Sequence, residues 1–223
     1  RNLLRRLHFS PVMTGTLLIK VCGMRDPANR MELEDLPIDL FGTIFYTPSP
    51  RYAGHLPREV LTRLTATAKE KVAVFVDAGF HEIRAITRSY GFTYVQLHGS
   101  EPPALGKALK EVGLKVIKAV SADPVTGFSL AEEFTEAADY FLFDTRTPGK
   151  GGSGEKWDWR LLETYRGQLP FFLSGGIASG DAAAIAALRH PALCGIDLNS
   201  GFEHEPGIKN RQALHAFIET LKM

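Results

Sequence analysis

The chain has 223 residues, 44% of them hydrophobic and 23% charged, enough for one sizeable core and short for two. Its 26 basic and 25 acidic residues leave a formal net charge of +1, so there is no field to gather nucleic acid or an anionic membrane, and any anionic ligand must be caught locally. Two cysteines far apart, Cys22 and Cys194, suit neither a disulfide framework nor a zinc site and point to a reducing cytoplasm, while no apolar run reaches the ~18 residues of a membrane span.

Residues 1–16, beginning RNLLRRLH, are basic and amphipathic. They show no signal-peptide apolar core of ~7–15 residues and no clear cleavage site. They are set aside as an N-terminal extension, non-native or disordered, ahead of one catalytic domain over residues 17–223.

From there strands and helices alternate. A strand over 17–21 ends at Cys22-Gly23 and is followed by a helix over 27–35. A strand over 40–45 stops at the turn-rich Thr47-Pro48-Ser49-Pro50-Arg51-Tyr52, and a helix is expected over 57–69. A third strand over 72–76 ends at Asp77, with a helix over 82–90, and a fourth over 94–97 ends at His98-Gly99. Pro102 and Pro103 head the next helix, 104–112, where a missing N–H does no harm.

A fifth strand over 115–119 and a helix over 130–137 come next. The sixth strand, Tyr140-Phe141-Leu142-Phe143, halts at Asp144 and enters a loop with Gly149, Gly151, Gly152 and Gly154 before Trp157 and Trp159. The seventh, 170–173, opens into Ser174-Gly175-Gly176-Ile177 and an alanine-rich helix over 181–188. The eighth, 193–198, opens into Asn199-Ser200-Gly201, and a helix over 212–221 closes the chain.

Apolar runs without alternation belong to strands buried on both faces, the habit of parallel sheets. Eight strand–helix alternations at roughly 26 residues each predict an α/β, single-domain (β/α)8 TIM barrel near its lower size limit. An open doubly wound sheet is the rival, although it usually has fewer strands.

In such a barrel the strand exits meet at one face, and here those exits carry Cys22, Arg51, Asp77, His98, Asp144 and the two glycine turns. The turns after strands seven and eight expose backbone N–H groups and suit an anion such as phosphate, with Ser200 adding a hydroxyl; as simple tight turns they would need no ligand. Cys22 is a small buried hydrophobe or a nucleophile or base; with no thiol or histidine pair at ligand spacing, no metal is expected. Arg51, behind a stiff proline turn, matches a carboxylate fork or lies on the surface. Asp144 is a helix cap or an acid beneath a glycine lid.

Taken together, Lys20-Val21-Cys22-Gly23, FYTPSPRY over 45–52, Val95-Gln96-Leu97-His98-Gly99, Phe143-Asp144-Thr145 with Gly151-Gly152-Ser153-Gly154, Leu173-Ser174-Gly175-Gly176 and DLNSG over 197–201 resemble the phosphoribosylanthranilate isomerase family. The ordered match runs from about Leu18 to the C-terminus. The resemblance implies a cofactor-free Amadori rearrangement in tryptophan biosynthesis, acting on a small phosphosugar–anthranilate substrate in a monomer or homodimer. It further implies that Asp144 is the general acid and Cys22, as thiolate, the base. Arg51 would meet the anthranilate carboxylate, and Gly175, Gly176, Asn199, Ser200 and Gly201 the phosphate, with His98 and Asp197 also in the pocket.

An acid still protonated near neutrality needs a partly apolar, water-poor pocket, closed by the Gly149–Gly154 loop. Thr43 and Thr47 depart from the family pattern near the Arg51 loop without removing a catalytic group. The histidine-pathway sugar isomerase resembles a two-aspartate design, which Cys22 opposes. A phosphosugar epimerase would bring paired acids and metal-binding histidines, where the exits offer only His98. A non-catalytic phosphosugar-binding or scaffold domain is the alternative from another class.

Overall fold

The computed structural model describes residues 17–123, 125, 128–145 and 156–222. The expected extension over 1–16 and the expected glycine lid over 149–154 lie outside the described residues.

Eight parallel strands close into a barrel in chain order: β1 (Leu18–Val21), β2 (Leu40–Ile44), β3 (Glu70–Phe75), β4 (Tyr94–Leu97), β5 (Lys115–Ala122), β6 (Tyr140–Thr145), β7 (Phe171–Leu173) and β8 (Leu193–Leu198). The β1–β8 seam is fully paired, from Leu18 opposite Gly195 to Val21 opposite Leu198. The crossovers carry α1 (Pro27–Glu32), α2 (Arg58–Leu64), α3 (Phe80–Tyr90), α4 (Pro103–Glu111), α5 (Ser129–Glu133), α6 (Ala182–Ala187) and the closing α7 (Arg211–Lys222).

Period-2 alternation divides the core in two. One side of the strands packs outward on the helices through Val21, Phe41, Phe75, Val95, Val116, Phe143 and Leu173. The other fills the barrel with Leu40, Val72, Val74, Tyr94, Ile117, Tyr140, Leu142 and Phe172, topped by Cys22. At the strand starts, Asp39 and Asp139 each accept the N–H of the second residue of a neighbouring strand, from Ile19 and Val116, both at 2.8 Å. These carboxylates satisfy donors that closure would otherwise bury.

Two helices stop well short of the sequence pattern, α2 at Leu64 and α5 at Glu133, whereas α3 and α7 run slightly past theirs. Between β6 and β7 the crossover holds a 3₁₀ helix, Trp159–Thr164, where the sequence reading placed no element. After β8 the chain adds an antiparallel pair, β9 (Glu203–Glu205) and β10 (Ile208–Lys209), which the sequence reading missed. Among the described residues no helix is long and apolar enough to cross a membrane, and no group of His, Cys, Asp and Glu side chains is arranged to hold a metal ion.

Candidate active site

The mouth at the strand exits is built from two unlike walls. The first belongs to β1, β8 and the elements beside them. Lys20 and Cys22, two residues apart, both point inward, and Lys20 is fully buried with its ammonium 2.8 Å from Asp197 on β8. The closed seam causes this, since Lys20 and Asp197 are direct register partners. Burial works to lower the Lys20 ammonium, but the charge of Asp197 and the sulfur of Cys22 outweigh it and hold Lys20 above its usual range. For Cys22 the balance goes the other way. Burial pushes the thiol up, Lys20 and Lys209 pull it down without cancelling that rise, and Asp197 adds to it.

Beside this pair sits a cluster the sequence reading did not find. Arg51 grips Glu203 through Nε at 2.9 and 3.0 Å and through Nη2 at 2.6 Å. Lys209, 1% exposed, donates to Glu203 at 2.7 Å and to Asn199 Oδ1 at 2.8 Å. Burial works to raise the Glu203 carboxyl, but Arg51 and Lys209 overcome it and hold the group below its ordinary range. Burial holds the Lys209 ammonium below its own range, against the pull of Glu203. Gly23 makes the packing possible. Its φ is +78°, and a Cβ there would meet Arg51 Cδ at 2.6 Å and Asn199 Oδ1 at 2.8 Å.

The second wall, from β4 and β6, holds few charges. His98 Nε2 is 3.3 Å from Asp144 Oδ2, and both side chains keep about a fifth of their surface exposed, 20% and 19%. Gln96 Nε2 lies 2.7 Å from His98 Nδ1. Asp144 Oδ1 accepts the Thr145 N–H at 2.8 Å. Asp77, at φ +56°, donates its N–H to Glu101 and accepts from Ser100 N at 2.6 Å, fixing the loop into α4.

The glycine turns join the two walls. Gly175 has φ +87° and Gly176 +67°, and a Cβ on Gly201 would strike the Ile177 carbonyl, so the loops after β7 and β8 touch. Among the described residues, the Gly175 and Gly176 N–H groups make no hydrogen bond within the chain. The side chain of Asn199 is turned to Lys209, which leaves Ser200 and the backbone of 199–201 to face an anion. Ser174 carries Trp157 Nε1 on its carbonyl at 2.9 Å and sets its hydroxyl 3.4 Å from Asp197.

Cys22, Arg51, His98, Asp144, Asp197 and the turns at 174–176 and 199–201 therefore all lie at the strand-exit end. Lys20, Gln96, Glu203 and Lys209 complete the arrangement. Lys20 and Gln96 had a readable signal, a charged and an amide residue inside apolar strand runs. Glu203 and Lys209 had none, since they stand in what reads as a polar surface loop.

Residues 19–220 match the family model described as N-(5'phosphoribosyl)anthranilate (PRA) isomerase. The chain is 43% identical to an N-(5'-phosphoribosyl)anthranilate isomerase of Parabacteroides distasonis over 206 residues, 92% of this chain and 93% of the relative. Among solved structures it is similar to the phosphoribosyl anthranilate isomerase of Thermotoga maritima at 30% identity and a TM-score of 0.81, covering 93% of this chain and 99% of that one. It is also similar, at 26% identity and a TM-score of 0.79 over 93% and 99%, to such an isomerase solved with reduced 1-(o-carboxyphenylamino)-1-deoxyribulose 5-phosphate.

Proposed function

Because the chain belongs to the N-(5'-phosphoribosyl)anthranilate isomerase family, we propose a division of labour among the residues at the barrel mouth. The enzyme isomerises N-(5'-phosphoribosyl)anthranilate in tryptophan biosynthesis, and the product is 1-(2-carboxyphenylamino)-1-deoxyribulose 5-phosphate. Opening the furanose needs an acid, and moving the double bond needs a base.

Asp144, protonated, gives its proton to the ring oxygen. The C1–O bond breaks as the nitrogen lone pair forms C=N, leaving a protonated Schiff base and an Asp144 carboxylate. Cys22, as thiolate, takes the C2 proton; the freed pair forms C1=C2 and the C=N electrons return to nitrogen, giving the enolamine. Passing the thiol proton to C1 and the C2 hydroxyl proton to Asp144 yields the ketone and restores both groups.

Lys20 is the cation that makes a thiolate tolerable at a buried site, and Asp197 is its counter-ion. Arg51 spends its Nε–Nη2 edge on Glu203, so its Nη1 side is left for the anthranilate carboxylate. The backbone N–H groups of 175–176 and 199–201 hold the phosphate. His98 serves the pocket through its contact with Asp144. The two free thiols support a reducing, cytoplasmic setting, and the catalytic unit is the barrel from residue 17 onward.

One observation carries this reading. Cys22 and Asp144 stand at the exits of β1 and β6 of one closed barrel, and the arc between them, β6-β7-β8-β1, contains both glycine turns. A substrate anchored by its phosphate on that arc has the base at one end and the acid at the other. The test is turnover of freshly generated phosphoribosylanthranilate, followed by loss of its fluorescence. Cys22→Ala and Asp144→Asn are each expected to lose ~10²–10⁴-fold in kcat with the fold intact. A folded parent that does not turn over would refute the assignment and favour a phosphosugar-binding module instead.

A further inference from the structure

We infer that His98 is a positioning residue for Asp144 and that Gln96 fixes the imidazole tautomer this requires. The inference rests on the acid role given to Asp144 above.

Gln96 lies on β4 and His98 just past its end, two residues apart, so both side chains turn into the barrel. Gln96 is 1% exposed and sets its amide nitrogen 2.7 Å from His98 Nδ1. An amide nitrogen only donates. Nδ1 therefore accepts, and in the neutral ring the proton sits on Nε2. Nε2 faces Asp144 Oδ2 at 3.3 Å and donates to it. With Thr145 N–H on Oδ1 at 2.8 Å, each oxygen of the acid meets one donor. The carboxylate left once the proton has gone to the sugar is held facing the pocket and stabilised there.

A second observation points the same way. Among the described residues Gln96 Oε1 is buried without a partner, a standing cost in an apolar interior. Turning the amide over would offer Oε1 to the ring, but only to a ring protonated at Nδ1, whose bare Nε2 could then give no hydrogen bond to the carboxylate that Asp144 becomes. Methionine would fill the same space at no polar cost. An amide is accounted for at this position by its donor, since its carbonyl gains nothing.

The tautomer is read directly by ¹H–¹⁵N correlation of the imidazole nitrogens in the ligand-free enzyme, with the His98 signals identified by their loss in His98→Asn. A protonated Nε2 and a bare Nδ1 are expected. In Gln96→Met, kcat should fall about tenfold, KM should stay within about twofold, and His98 should show mixed tautomers, as for loss of one hydrogen bond in a chain ending on an ionised group. The melting temperature should hold or rise because the orphan carbonyl is gone, whereas a purely structural Gln96 would show lost stability with kcat intact. His98→Gln, which keeps an N–H donor, should recover part of the kcat lost in His98→Leu. A protonated Nδ1 in the parent, or full kcat in Gln96→Met, overturns the inference. Because the tautomer is read without substrate, failure of the isomerase assay and failure of this inference are seen separately.

Discussion

In the assignment proposed above, the two walls of the mouth do the same kind of work, proton transfer, with opposite materials. On the β1–β8 side, Cys22 is enclosed by ions: Lys20 with Asp197, and Arg51 and Lys209 with Glu203. On the β4–β6 side, Asp144 sits at the end of a chain of uncharged donors, Gln96 and His98, with a fifth of its surface open. A buried thiol gives up its proton only where fixed positive charge offsets the lost hydration of the anion. The β4–β6 wall offers its carboxyl two donors that aim it, one to each oxygen. Under the proposed assignment the base is set chiefly by charge and the acid chiefly by geometry.

That contrast can be broken most severely at Lys20. Lys20→Met leaves Asp197 buried without its cation and should cost about 3–5 kcal/mol of stability in a denaturant titration, and Lys20→Met with Asp197→Leu should regain most of it while leaving catalysis lost. Next comes Glu203→Gln, which leaves Arg51 and Lys209 short of a counter-charge. A loss of about 1–3 kcal/mol is expected, with a higher KM as Arg51 loses its brace. No stability change of comparable size is expected from Gln96→Met or His98→Leu on the acid wall.

Two pH effects sharpen the comparison further. The Cys22 thiol is held above its ordinary value of 9.0, so the thiolate fraction, and with it kcat/KM, should still be climbing as pH rises through 9. The same shift means the folded protein keeps that proton longer than the unfolded chain, so its contribution to stability is whole below about pH 9 and is lost as pH rises further. Glu203, held below its ordinary 4.5, has the opposite sign. Its contribution is present above about pH 4.5 and is lost as pH falls through its lower folded value. The smallest effect expected is therefore a flatter acid limb of melting temperature against pH in Glu203→Gln.

The barrel was legible because eight apolar runs of strand length end in polar or glycine residues at regular intervals, and that pattern needs no partner information. Cys22, Asp144 and the turns at 175–176 and 199–201 were legible for the same reason. Glu203 was not. Its partner Arg51 is 152 positions away, and what brings them together is the β1–β8 closure and the short β9–β10 pair, neither of which leaves a local periodic signal. The overlong helices have a related cause. Helix-forming residues continue past Leu64 and Glu133, but the chain must turn back to reach the next strand, and tertiary closure overrides propensity.

Gly175 carries a consequence of its own. At φ +87° it would strain any other residue, and a Cβ there would sit 2.8 Å from Asp144 Oδ1 and 2.7 Å from Thr145 N. A saturation library at this codon should return glycine alone among active clones. Alanine, chemically inert and far from any ionisable change, should behave as a defect of the acid, lowering kcat by displacing the carboxyl. The hydrogen atom at position 175 is in that sense a part of the proposed proton donor's address, written in empty volume.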